Sequence, residues 1–149
     1  MSELTTPINA VLKRKTGAIW STQPDATVYH ALEIMAEKQV GALPVMQMGE
    51  LVGIISERDY ARKIILMGRS SKETPVGEIM GSPVISVSPK HTVEECMRII
   101  TDNRVRHLPV IDGGRMIGII SIGDLVNWII SEQQETIRHL EAYISGVAS

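Results

Sequence analysis

Residues 52–59 read VGIISERD, and residues 117–124 read IGIISIGD. In both, branched apolar residues run into Ser, two open positions and Asp, the pattern of a buried strand passing directly into the first turn of a helix. Sliding the chain against itself by 65 positions aligns 24–59 with 89–124 without a gap. Pro24, Thr27, Val28, Ile34, Val40, Leu43, Pro44, Val45, Gly49, Gly53, Ile54, Ile55, Ser56 and Asp59 recur as Pro89, Thr92, Val93, Ile99, Val105, Leu108, Pro109, Val110, Gly114, Gly118, Ile119, Ile120, Ser121 and Asp124. These are 14 of 36 positions, where ordinary composition gives roughly two by chance. The chain is a tandem duplication.

Both copies give one coarse reading. A short apolar strand (Ala18–Trp20; Val84–Val87) leads through a Pro-containing turn into an amphipathic helix, with Val28, Leu32 and Met35, then Val93, Met97 and Ile100, at helical spacing. Thr92 and Glu95 predict a capping box at the second of these helices. Two strands follow, ALPVM and LVGIIS, then HLPVI and MIGIIS, joined by MGE and DGG turns, and a last helix begins at Ser56 or Ser121. The unit is β-α-β-β-α. The boundaries expected are 8–68 for the first unit, a polar linker at 69–75, 76–131 for the second unit and a helical extension over 132–149. Three short strands cannot bury both faces within one copy. Two units packed sheet to sheet about a pseudo-twofold axis are expected, an α/β (α+β) fold flanked by N- and C-terminal helices.

Composition narrows the function. The 149 residues carry 44% apolar and 21% charged residues with a net charge of −2, so no basic stripe points to nucleic acid. No apolar run reaches the ~18 residues of a membrane span, and the N-terminus lacks a signal-peptide run. The single Cys96 falls on an apolar helix face, where it reads as a small core residue. A cytoplasmic protein is expected. Lys13, Arg14 and Lys15 form a short basic run, read either as a solvated helix end or as a contact for phosphate or an acidic partner.

Ser-x-x-Asp has two readings. It is a helix capping box, with Asp in place of the usual Glu or Gln, in which Asp59 and Asp124 serve backbone donors. It is also a binding motif. The Ser sits at the C-terminal end of a strand, where the N–H groups of the next helix attract an anion. A carboxylate one turn in would repel phosphate unless it had another task, and accepting two vicinal ribose hydroxyls is such a task. Anion donors beside a diol acceptor describe a nucleotide.

The duplicated unit, its L-P-V strand, its G-I-I-S strand and its S-x-x-D helix start together resemble a tandem pair of CBS domains (a Bateman module), from about Val11 to about Ile130. The resemblance implies an adenosine ligand, AMP, ADP or ATP, with NAD(H) or S-adenosylmethionine as further candidates, held in the cleft between the copies to regulate a partner protein. Carried over residue by residue, it makes Asp59 and Asp124 the ribose acids and puts Ser56 and Ser121 near phosphate. Val40 and Val105 would lie against adenine with Ile54 and Ile119 nearby. Backbone groups around Ile19, Trp20 and Ser21, and around Ile85 and Ser86, would read the adenine edge. Thr16 stands where the family often has a threonine beside the phosphate, and its gap-free counterpart is Gly81, so the two sites are expected to differ in strength. Arg106 and His107 align with Gly41 and Ala42, and Arg58 with Gly123, which offers basic groups for a phosphate held by the other copy.

Other chemistry lacks its machinery. His30, His91, His107 and His139 do not have the spacing of a zinc site, so no structural metal is expected. Walker, dinucleotide-fold and nucleophile-elbow motifs are missing from the sequence. The last helix keeps an apolar stripe through Leu125, Val126, Ile129, Ile130, Ile137, Leu140 and Ile144, past Tyr143. Either it folds back on Ile8, Val11 and Leu12, or it forms a homodimer seam. The expectation is a stand-alone adenine-nucleotide-sensing regulatory module, homodimeric, not an enzyme, acting on an unidentified partner. The rivals are a ligand-free dimeric adaptor and a small nucleotide-hydrolysing enzyme.

Overall fold

The computed structural model describes residues 2–15 and 18–144; Thr16 lies outside the described residues. The described chain forms two compact units, one from residues 18–85 and one from residues 2–15 together with 86–144. Among the described residues there are two small antiparallel sheets, and no helix is long and apolar enough to cross a membrane.

The helices at the N-terminus are α1 (Ser2–Thr5) and α2 (Ile8–Arg14). The first repeat contributes α3 (Val28–Lys38), β1 (Ala42–Gln47), β2 (Glu50–Ser56) and α4 (Glu57–Tyr60), which widens into a π-helical turn at Ala61–Ile65. A 3₁₀ turn follows at Val76–Glu78. The second repeat contributes α5 (Val93–Asn103), β3 (His107–Asp112), β4 (Arg115–Ser121) and α6 (Ile122–Ile144).

In the unit of residues 18–85, Thr27 caps α3 by accepting a hydrogen bond from His30 N at 3.1 Å. Val28, Ala31 and Met35 then face inward, packing with Leu43, Val45, Ile55, Ile64, Val76 and Ile79. Full burial of each large apolar side chain stabilises the unit by roughly 1.5–3 kcal/mol. Leu43 pairs with Ile55 and Val45 with Gly53 across the β1–β2 hairpin. Its two-residue turn places Met48 at φ 51° and Gly49 at φ 81°, the left-handed pair that a tight hairpin requires. The polar stretch after the π turn is tied down: Ser71 O and Thr74 O accept from Tyr29 N and Val28 N, two amides of the first turn of α3 that no helical carbonyl can serve.

The second unit repeats this plan. Thr92 and Glu95 form the capping box expected from the sequence, and Leu108 pairs with Ile120 and Val110 with Gly118 across β3–β4. Val93, Cys96, Ile100, Leu108, Val110, Ile120 and Leu125 are buried. The N-terminal segment belongs to this unit: Ile8 and Val11 are buried, Ile8 N donates to His91 O and Val93 N donates to Thr6 O.

The first strand expected in each copy is corrected. In place of ladder strands at Ala18–Trp20 and Val84–Val87, each segment makes one parallel bridge, Thr22 to Val45 and Val87 to Val110. Thr22 N donates to Pro44 O, Met46 N donates to Thr22 O, and Val87 makes the equivalent pair with Pro109 and Ile111. Two residues later come Pro24 and Pro89, which have no N–H to continue the pairing.

Candidate functional site

Each hairpin delivers its Ser-x-x-Asp to the start of a helix. Ser56 caps α4 in extended conformation, φ −127° and ψ 164°, and its Oγ accepts from Asp59 N at 3.2 Å. Ser56 N and Oγ both donate to Asp59 Oδ2, at 2.9 and 3.0 Å. In the second repeat Ser121 N donates to Asp124 Oδ2 at 2.8 Å, and Asp124 N donates to Ser121 Oγ at 3.1 Å. The capping-box reading is therefore realised twice. It does not enclose the acids: the Asp59 and Asp124 side chains keep 19% and 23% of their surface exposed.

Each carboxylate also meets a lysine, from a different place in the chain. Asp59 Oδ1 lies 3.3 Å from Nζ of Lys63, one turn further along, which also donates to Ile79 O. Asp124 Oδ2 lies 2.9 Å from Lys15 Nζ, which also donates to Ile119 O at 2.7 Å. Lys63 was readable from its i,i+4 spacing to Asp59. Lys15, more than a hundred residues from Asp124, carried no local signal.

Of the other expected residues, those that precede β1 and β3 are tied by backbone hydrogen bonds to the two Ser-x-x-Asp turns. Glu57 N donates to Gly41 O, which sets half-buried Val40 beside the Ser56 turn. Ile122 N donates to Arg106 O and His107 pairs with Ser121, so Val105, Arg106 and His107 adjoin the second turn. Ile54 and Ile119 are half-buried strand residues two positions before the serines, and Ile54 exchanges both backbone hydrogen bonds with Gly81. Arg58 is half-buried on α4. Ile19 and Trp20 are 44% and 41% exposed, with Lys38 Nζ 4.1 Å from the centroid of the Trp20 ring; Ser21 and Ser86 are exposed and Ile85 is half-buried. Among the described residues no three His, Cys, Asp or Glu side chains are grouped to hold a metal ion.

Two glycines of the motif have a packing role. A Cβ on Gly53 would lie 2.5 Å from Met80 Sδ, and one on Gly118 would lie 2.6 Å from Leu12 Cδ2. The G-I-I-S strand thus leaves its glycine bare so that an apolar side chain from the preceding segment can close over it.

Comparison with known proteins agrees with this architecture. The family model described as CBS domain matches twice, over residues 17–66 and 76–131. The chain is 47% identical over 151 residues to the CBS domain-containing protein CBSX3, mitochondrial, of Arabidopsis thaliana, covering 95% of this chain and 73% of that protein. It is 31% identical over 126 residues to the CBS domain-containing protein YhcV of Bacillus subtilis, covering 84% and 89%. Among solved structures, a protein with CBS domains from Burkholderia ambifaria superposes with a TM-score of 0.83 at 47% identity, covering 86% of this chain and 96% of that one.

Proposed function

The chain belongs to the CBS-domain family, whose pairs are in general regulatory, signal-transduction-type modules, and we propose on that footing that it senses adenine nucleotides. Asp59 and Asp124 each accept the two hydroxyls of a ribose, and Ser56 and Ser121, with the amides at the starts of α4 and α6, face phosphate. AMP, ADP and ATP are the first candidates, NAD(H) and S-adenosylmethionine the next. Binding stabilises one conformation, which a partner protein reads; the shift is bounded by the ligand's differential affinity for the two states. The module acts by binding, not by catalysis.

The observation that carries this reading is the duplicated, partly open carboxylate. Beyond its capping bonds each acid keeps about a fifth of its side-chain surface exposed, which leaves carboxylate surface open to a ligand in both repeats. A thermal-shift screen against the five adenosine compounds tests it, since a ligand at 100 times its Kd adds about 2.7 kcal/mol. No response to any of them leaves the dimeric adaptor as the better reading, because the exposed stripe on α6 stands without any ligand. That stripe supports a homodimer under either reading.

A further inference from the structure

The two repeats differ by an insertion that a gap-free alignment passes over. Thr6-Pro7-Ile8 and Thr74-Pro75-Val76 occupy matching places, with Pro7 bridged to Thr92 and Pro75 bridged to Thr27. Leu12 and Met80 match as well, one covering Gly118 and the other Gly53. After Met80 the chain passes at once to Gly81, which bridges Ile54. After Leu12, three residues intervene before the corresponding point: Lys13, Arg14 and Lys15.

The insertion brings one cation onto the second acid and a second into the pocket beside it. Lys15 Nζ holds Asp124 Oδ2 at 2.9 Å and Ile119 O at 2.7 Å. The Arg14 guanidinium lies 4.1 Å from the centroid of the Trp128 ring and pairs with Glu132 at 2.9 Å. Together with Asp124, Asn127 and Ser131 these side chains line an open pocket of about 170 Å³. Among the described residues, neither the Asn127 amide nor the Ser131 hydroxyl has a hydrogen-bond partner.

We propose that Lys15 selects for phosphate-bearing ligands at the second repeat. The inference rests on the ribose role of Asp124. Asp124 Oδ2 already accepts from Ser121 N at 2.8 Å as well as from Lys15 at 2.9 Å, so both its lone pairs are filled and a diol can reach it only when a ligand displaces the ammonium. A neutral nucleoside then leaves Lys15 without a counter-charge, and a cationic ligand adds repulsion. A nucleoside phosphate re-pairs the displaced ammonium within the same pocket, beside Arg14, Asn127 and Ser131. The first repeat has no such insertion: Lys63 is held on the same stretch of helix as Asp59 and keeps its bond to Ile79 O. Its discrimination between charged and neutral ligands is correspondingly weaker.

Calorimetric titration of the full chain with AMP and with adenosine tests this, using Asp59→Asn to silence the first repeat. With Lys15 present, AMP binds at least about tenfold tighter than adenosine, one charge-assisted contact being worth about that factor. In the added Lys15→Met variant the ratio falls to threefold or less, mainly through weaker AMP binding, while Lys15→Arg keeps the preference. A ratio unchanged by Lys15→Met, or lost equally in Lys15→Arg, overturns the assignment of Lys15 and leaves the nucleotide reading intact. Absence of binding by either compound to the unmodified protein overturns the nucleotide reading and this inference with it.

Discussion

Leu12 closes over Gly118 so tightly that a single added methyl would sit 2.6 Å from its Cδ2 atom. Met80 stands in the same relation to Gly53, and there the added Cβ would also meet Gly81 O, a backbone atom, at 3.1 Å. Gly118→Ala and Gly53→Ala are therefore both expected to destabilise the protein through overpacking, by about 1–3 kcal/mol. Gly53→Ala is the more severe, since a leucine tip can turn aside more easily than a paired carbonyl. Urea unfolding of the two variants checks this; midpoints equal to the parent's would contradict it.

Cys96 is fully buried on α5, and burial pushes its thiol up to about 11 from 9.0. The folded state then holds its proton where the unfolded chain releases it. This contribution to stability is therefore intact below pH 9 and falls away as the pH rises from about 9 toward 11. Replacing Cys96 by Ala, a smaller residue that does not titrate, should flatten that part of the stability–pH curve. A thiol reagent at neutral pH should label the native protein far more slowly than the unfolded one.

Ile137 and Leu140, midway along the distal part of α6, are 53% and 56% exposed, and Ile144 is 82% exposed. The double substitution Ile137→Asp, Leu140→Asp should leave the unfolding midpoint nearly unchanged and convert a dimer to a monomer in sedimentation velocity. An unmodified protein that sediments as a monomer at every concentration would remove the seam from the account.

Much of this was legible in the sequence because the physical signals were local. The short apolar runs ALPVM and HLPVI, each followed by a turn and a second apolar run, marked buried hairpin strands, and Thr92 with Glu95 marked a helix start, since each depends on neighbours a few residues away. The pairing of Lys15 with Asp124 was not legible: it depends on a three-residue insertion and on a contact between segments far apart in sequence. The short strand expected at Ala18–Trp20 failed for a related reason. Apolar character there suggested a ladder, but Ile19 and Trp20 are substantially exposed, and the single bridge forms at Thr22, where Pro24 soon ends it. The widening of α4 into a π turn at Ala61–Ile65 likewise leaves no mark in a sequence that reads as continuous helix.

On the proposed reading the paired acids hold ribose in addition to capping their helices. Asn keeps an acceptor for the Ser56 and Ser121 amides, so Asp59→Asn and Asp124→Asn preserve the caps while removing the carboxylate. The most direct measurement is the calorimetric stoichiometry of nucleotide binding to the parent, the two single variants and the double variant. Each single substitution is expected to abolish binding at its own repeat only, and the double variant to bind nothing while unfolding cooperatively like the parent. Binding of parental stoichiometry and affinity in the double variant would contradict the account and reduce both aspartates to helix caps.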